Sequence, residues 1–402
     1  MNKQFYHQVF ANEIYKIKEE NRYRNFNELQ RNNINAPYAN WIAKSKERHV
    51  IIWCSNDYLG MSQNKIIVDA AIKSLLNYGT GSGGTRNISG NHQPIVELEK
   101  EIALLHDKES SLVFSSGYVA NESAISSILN LFKNITVFSD EKNHASIISG
   151  IKKASCNKVV FKHNDIVDLE NKLKFLEYKD PKIIIFESIY SMDGSISDIK
   201  TIVNLAKKYN CLTYLDEVHA VGMYGETGAG MSEELGVKED IDVIQGNLAK
   251  AYGNFGGYIA SNNIICDYIR STASGFIFTT SIPPLIAEAS IKSIKYLKTS
   301  SIERDLQKSN VKYLKKQLVL KNINFLENES HIVPVMINNP LKCKQISELL
   351  LDKYGHYIQP INYPTVPRGS ERLRITPGPL HTKKMIDNLV NALSECIIFY
   401  NV

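Results

Sequence analysis

From Ile51 to Ser261 the chain alternates short apolar runs with stretches long enough for a helix, and this alternation constrains the fold most. The runs are Ser111–Phe114, Val137–Ser139, Lys158–Phe161, Ile183–Glu187, Leu212–Asp216, Val243–Gly246 and Gly257–Ser261. Most are rich in β-branched or aromatic residues, which predicts strands. Strands separated by helix-length segments such as Ile202–Tyr209 predict an α/β fold with a mostly parallel sheet buried between helices. After the Pro283-Pro284 break a long helix is expected to about Lys298, followed by helices mixed with strands such as His331–Ile337. Residues 1–48 read as an amphipathic helix and a polar arm. The expected division is an arm (1–48), a large domain (49–290) and a smaller α+β C-terminal domain (291–402).

At 402 residues the chain is about right for two lobes. Its 47 Lys and Arg exceed its 42 Asp and Glu by only 5, and they are scattered. Scattered lysines make a solvated surface, so no nucleic-acid partner is expected. The six cysteines form no C-x-x-C pair and none lies at metal-ligand spacing from a histidine, so neither a metal site nor a disulfide framework is indicated. No apolar run approaches the roughly 20 residues of a membrane span. The first residues have no apolar signal core, and their acidic residues argue against a transit peptide; a cytoplasmic protein is expected.

Gly79-Thr80-Gly81-Ser82-Gly83-Gly84 fits the dinucleotide fingerprint G-x-G-x-x-G, but that fingerprint needs a preceding strand. Here Ile67, Ala71 and Leu75 recur at helical spacing, so the Rossmann reading fails. The glycines leave a loop whose backbone can approach a ligand, with Thr85, Arg86 and Asn87 next to it.

A stronger pairing lies later. The run Leu212–Leu215 ends in Asp216, and the next, Ile241–Ile244, leads through Gln245-Gly246-Asn247-Leu248-Ala249 to Lys250. Asp216 and Lys250 are one strand–helix–strand crossover apart, so both reach the carboxyl edge of the sheet, where open α/β sheets place ligands. Singly, each is more plainly a helix-capping aspartate and a surface lysine. Together they suit pyridoxal phosphate: the carboxylate keeps a pyridine nitrogen protonated, and the amine forms a Schiff base with an aldehyde. Ser116, Gly117 and Tyr118 follow a strand and open a helix, a place where backbone N–H groups bind phosphate. Ser191, beyond the strand ending at Glu187, is positioned for the ring's phenolic oxygen.

Eight motifs in order extend these observations: CSNDYLG (Cys54–Gly60), GSGGTRNISG (Gly81–Gly90), FSSGYVAN (Phe114–Asn121), DEKNHASII (Asp140–Ile148), ESIYSMDG (Glu187–Gly194), DEVHAVGMYG (Asp216–Gly225), GFIFTTSIPP (Gly275–Pro284) and QPINYPTVPRGSERLRITP (Gln359–Pro377). With them the chain resembles the α-oxoamine synthases, pyridoxal-phosphate acyl-CoA transferases of fold type I, from about Arg22 to Thr382. The resemblance implies a homodimer with its active site at the subunit interface. It also implies glycine and succinyl-CoA as substrates. Other members, making 2-amino-3-ketobutyrate or 8-amino-7-oxononanoate, are the nearer alternatives, and a non-catalytic scaffold of the same fold is the more distant one.

Carried over by resemblance, Lys250 would be the cofactor lysine and proton-transfer base, Asp216 the pyridinium partner and His144 the ring-stacking residue. His219 and Ser191 would contact the phenolic oxygen. Ser116, Gly117 and Tyr118 would hold the phosphate, with Thr279-Thr280 contributed across the dimer. Arg374 with Asn56 would bind the glycine carboxylate, Arg24 and Thr365 the far carboxylate of succinyl-CoA, and Thr85 would crowd the Cα pocket. A terminal carboxylate in a closed site needs a cation or donors, and Arg24 offers a planar, permanently charged fork. One departure stands beside Lys250. Where the family has Gly-Thr-x-Gly-Lys, this chain has Gly246-Asn247-Leu248-Ala249-Lys250, placing a longer amide donor where a hydroxyl is usual.

Overall fold

The seven apolar runs between Ser111 and Ser261 pair into one sheet in the computed structural model, which describes residues 3–31, 36–43 and 46–402. In chain order the strands are β1 (Glu28–Arg31), β2 (Tyr38–Ala43), β3 (Lys46–Ile52), β4 (Ser110–Phe114), β5 (Thr136–Asp140), β6 (Asn157–Phe161) and β7 (Lys182–Glu187). They continue with β8 (Leu212–Asp216), β9 (Val243–Asn247), β10 (Gly257–Ser261), β11 (Val333–Met336), β12 (His356–Tyr357), β13 (Pro360–Ile361) and β14 (Arg372–Ile375). The helices used below are α1 (Lys3–Glu19), α2 (Lys65–Tyr78), α3 (Gln93–Leu105), α4 (Gly117–Leu131) and α5 (Ala145–Lys152). The chain divides into two compact units, one of Asn56–Ser191 and Ser195–Arg304, the other of Met1–Ser55, Met192–Gly194 and Asp305–Val402.

In the first of these units the sheet order is β4-β10-β9-β8-β7-β5-β6. Strands β9 to β6 run parallel, while β10 is antiparallel to both β4 and β9. The antiparallel strand departs from a wholly parallel sheet; β9 and β10 are joined by a short connection, which suits antiparallel neighbours. Every residue of β7, Lys-Ile-Ile-Ile-Phe-Glu, is buried, as expected where helices cover both faces. Lys182 remains soluble inside because its ammonium donates to the carbonyls of Glu177, Tyr178 and Asp180. One core cluster packs Leu112, Ile125, Val137, Ile185 and Tyr214; another gathers Leu98, Ile102, Val113, Tyr252 and Ile294. The glycine-rich loop follows helix α2, so the helix expected before it is present.

The other unit contains two small sheets, β1-β2-β3-β12 and β11-β14-β13. The segment expected as a polar arm is instead largely β1, β2 and β3. The three pair antiparallel in chain order, and β3 also pairs with β12, some three hundred residues on, through Ile51 opposite His356. The expected strand His331–Ile337 is β11. Trp53, fully buried, donates from Nε1 to His356 Nδ1 at 3.0 Å and lies 4.2 Å from the His381 ring. The expected amphipathic helix is α1, with Phe5, Tyr6, Val9 and Phe10 all exposed. All six cysteines are free thiols. Among the described residues no helix is long and apolar enough to cross a membrane.

Candidate active site

Three adjacent parallel strands end in a row of polar residues. Glu187, Asp216 and Gln245 are direct cross-strand partners on β7, β8 and β9, and all are buried. Asp216 accepts from Asn121 Nδ2 at 2.7 Å and from the Val218 N–H at 2.9 Å. Burial pushes its carboxyl up; the two donors, and then His144 and Lys250, pull it back. Glu187 accepts from the His144 N–H at 2.6 Å, and burial followed by the charge of Asp216 holds it well above the usual carboxylate range.

Helix α5 starts at this edge. His144 is its N-cap, with Nδ1 2.7 Å from Ser146 Oγ. Burial pulls the imidazole below its ordinary value. Beyond β9, Lys250 Nζ lies 2.7 Å from His219 Nε2, and His219 Nδ1 lies 2.7 Å from the Tyr58 hydroxyl, which donates to Asn56 Oδ1 at 3.2 Å.

The opposite end of the site is the start of α4. Ser116 caps the helix, its Oγ accepting from the Val119 N–H at 3.1 Å, and the N–H groups of Gly117 and Tyr118 open the first turn. Asn247 Oδ1 accepts from the Ala249 N–H at 2.7 Å, which turns Nδ2 toward that turn: a Cβ on Gly117 would stand 2.9 Å from it. A Cβ on Gly257 would overlap the Gly117 backbone, so glycine at 257 lets β10 and α4 close on this corner.

One pocket is walled by Gly117, Tyr118, His144, Asp216, His219, Asn247 and Lys250, all expected from the sequence. Asn121, Ser146, Glu187 and Val218 complete the wall and were not anticipated. All four lie inside the motifs quoted above, and Asn121, the last residue of FSSGYVAN, also stands one helical turn after Gly117. Tyr58, inside CSNDYLG, reaches His219 only in the folded chain. Ser191, Thr85, Thr279 and Thr280 stand on loops of the same unit, Thr85 bridged to Thr280.

These residues fit pyridoxal phosphate. Donors gather where a phosphate needs them, a buried carboxylate is held by N–H groups, and an amine reaches the same pocket, with Gly117 leaving room that a Cβ would fill.

The other unit brings together Arg24 and Thr365, far apart in sequence: Arg24 Nη2 donates to Thr365 Oγ1 at 3.2 Å. Both line a cleft of about 1100 Å³, with Tyr23, Trp41, Tyr357 and Tyr363. Arg368 donates to Glu20, and Arg22 and Arg368 both lie over the Tyr363 ring, strapping the Tyr363–Arg368 loop to the segment before Arg24. Arg374 is buried on β14, opposite Pro334 of β11.

Residues 48–393 match the aminotransferase class I and II family model. The 5-aminolevulinate synthase of Rickettsia prowazekii (strain Madrid E) is 53% identical over 97% of this chain and 93% of its own length. The chain belongs to the 5-aminolevulinate synthase family. The Bradyrhizobium diazoefficiens 5-aminolevulinate synthase is 50% identical over 97% of this chain and 95% of its own. Among solved structures, a serine palmitoyltransferase from S. paucimobilis superposes with a TM-score of 0.90 at 26% identity, covering 100% of both chains. An 8-amino-7-oxononanoate synthase from Francisella tularensis superposes at 0.75 with 23% identity, over 88% of this chain and 99% of its own, which bears on fold alone. The fold is the fold-type I architecture of pyridoxal-phosphate enzymes.

Proposed function

We propose that the protein is a 5-aminolevulinate synthase, condensing glycine with succinyl-CoA to give 5-aminolevulinate, coenzyme A and CO₂, the first step of tetrapyrrole synthesis. The observation that carries this reading is the meeting of Lys250, His219, Asp216 and His144 with Asn247 and the start of α4 around one pocket. Pyridoxal phosphate, when bound, supplies an aldehyde that links to an amine and a protonated ring that absorbs the electron pair released at the amino acid's Cα.

The chain's own residues do the rest. The N–H groups of Gly117 and Tyr118 and the amide of Asn247 hold the phosphate, with Ser116 shaping the turn and Thr279-Thr280 contributed across a homodimer. With the cofactor bound, Asp216 would keep the ring nitrogen protonated, His144 would cover the ring, and His219 and Ser191 would hold the phenolic oxygen. Lys250 Nζ anchors the cofactor and, as a free amine, removes and returns protons at Cα, aimed by His219. Arg374 and Asn56 bind the glycine carboxylate, and Thr85 leaves room for glycine rather than alanine. Arg24 with Thr365 binds the far carboxylate of succinyl-CoA. The cytoplasm is the proposed compartment.

The test is incubation of the purified, cofactor-loaded protein with glycine and succinyl-CoA. Aminolevulinate and CO₂ in equal amounts support the assignment; turnover with acetyl-CoA in place of succinyl-CoA, and none with the latter, overturns it.

A further inference from the structure

Asn121 sits inside α4 with its whole amide in use. Its side chain is 1% exposed. Oδ1 accepts from the Tyr214 hydroxyl at 2.9 Å, while Nδ2 donates to Asp216 Oδ2 at 2.7 Å and to Ser146 Oγ at 3.0 Å. Ser146 Oγ is in turn 2.7 Å from His144 Nδ1. Because a tyrosine hydroxyl donating to Oδ1 fixes which end of the amide is the donor, Nδ2 must face the carboxylate. Asn121 also lies one helical turn after Gly117, on the same side of α4, about 6 Å along the axis. The helix that presents N–H groups at one end of the pocket therefore presents an amide at the other.

We propose that Asn121 is a positioning residue for the reaction: it holds Asp216 ionised and aimed, and through Ser146 ties that carboxylate to the imidazole of His144. This rests on the assignment of the pocket to pyridoxal phosphate. The physical need is plain. Asp216 is buried beside a second carboxyl, Glu187, and with Asn121 gone the Val218 N–H remains alone of the two donors that favour its charged form. The titratable groups around it are Glu187 on β7, His144 at the head of α5, Lys250 and His219 beyond the strand ends, and Tyr214 on its own strand. Of the hydrogen bonds acting on Asp216, that from Asn121 lowers its proton affinity most. A protonated Asp216 cannot keep a ring nitrogen charged, so the loss of Asn121 makes cofactor binding fall as pH falls.

The experiment strips the protein of cofactor and titrates it with pyridoxal phosphate by absorbance at pH 6, 7 and 8, for wild type, Asn121→Ala and Tyr214→Phe. Wild type is expected to bind with nearly constant affinity. Asn121→Ala is expected to bind roughly tenfold more weakly at pH 7 and weaker still at pH 6, with a fall in kcat and an unchanged KM for succinyl-CoA. Tyr214→Phe, which leaves the amide unanchored, moves the same profile less. It serves as the probe where Asn121→Ala does not fold. A flat, wild-type profile in the folded variants overturns the proposal and leaves the cofactor assignment standing. Failure of wild type itself to bind overturns the cofactor assignment and the proposal with it.

Discussion

Lys250 Nζ lies 2.7 Å from His219 Nε2, and the charge state of the lysine sets the protons in the chain of groups behind it. A lysine ammonium has no acceptor, so with Lys250 protonated Nε2 carries no hydrogen and Nδ1 does. Nδ1–H then donates to the Tyr58 oxygen, and Tyr58 donates onward to Asn56. The lysine is held by a line of groups with one consistent polarity.

On the proposed roles, replacing Lys250 removes the anchor and the base together. Lys250→Ala is expected to lower kcat by at least about 10³-fold, within what a positioned proton-transfer group contributes. Borohydride reduction followed by peptide mapping should attach the cofactor to Lys250 in wild type only. Attachment at another lysine would refute the assignment.

Tyr58→Phe takes away the acceptor for His219 Nδ1–H while keeping the ring. A buried hydrogen bond of this kind contributes about 1 kcal/mol, so kcat should drop by up to roughly tenfold with little change in melting temperature. Steady-state rates with saturating substrates decide it, and an unchanged kcat means that the Tyr58 link has no hold on the lysine.

Arg24 and Thr365 meet at 3.2 Å in a cleft of about 1100 Å³. Losing a charged donor to a carboxylate costs about 1.5–3 kcal/mol, so Arg24→Ala should raise the KM for succinyl-CoA roughly 10–100-fold and leave that for glycine alone. A rise in the glycine KM instead would move Arg24 to the other substrate.

Gly117→Ala tests the phosphate corner. The added methyl would stand 2.9 Å from Asn247 Nδ2, yet alanine suits a helix start, so the fold should survive. Crowding of this size costs about 1–3 kcal/mol, and pyridoxal phosphate affinity should fall roughly tenfold. Unchanged affinity by absorbance titration would place the phosphate elsewhere.

His106 gives a pH prediction independent of the site. It is fully buried against the Tyr258 hydroxyl at 3.0 Å, and burial, then the nearby Lys238 and Lys108, pull it down to about 3. The unfolded chain takes up a proton near pH 6.5 that the folded one refuses, so this stabilisation is complete above pH 6.5 and is lost as pH falls toward 3. Between pH 7 and pH 5 the advantage of wild type over His106→Asn should narrow by about 2 kcal/mol. Denaturant midpoints at the two pH values measure it, and a constant gap would contradict the buried neutral imidazole.

Some of this was legible in the chain itself. Strand-length apolar runs ending in Asp216 and leading to Lys250 placed both at one sheet edge, because a parallel strand's carboxyl end follows from its direction in the sequence. The glycine-rich loop was separated from a dinucleotide fingerprint by the helical spacing of Ile67, Ala71 and Leu75, and α2 is there.

Other parts carry no local mark. Strand β1 and the first half of β3 are polar, and β3 pairs not only with its neighbour β2 but with the distant β12. Asn121 and Tyr58 look like ordinary polar residues in a helix and a turn until folding brings Asp216 and His219 against them. Glu187 reads as the end of a strand; its cross-strand neighbour Asp216 makes it part of an adjacent pair of buried carboxyls. By itself the sequence determined which residues stand at the strand ends, since backbone period and direction are local properties. Tertiary structure alone decided which polar groups face them, since hydrogen-bond partners and burial depend on packing between segments distant in the chain.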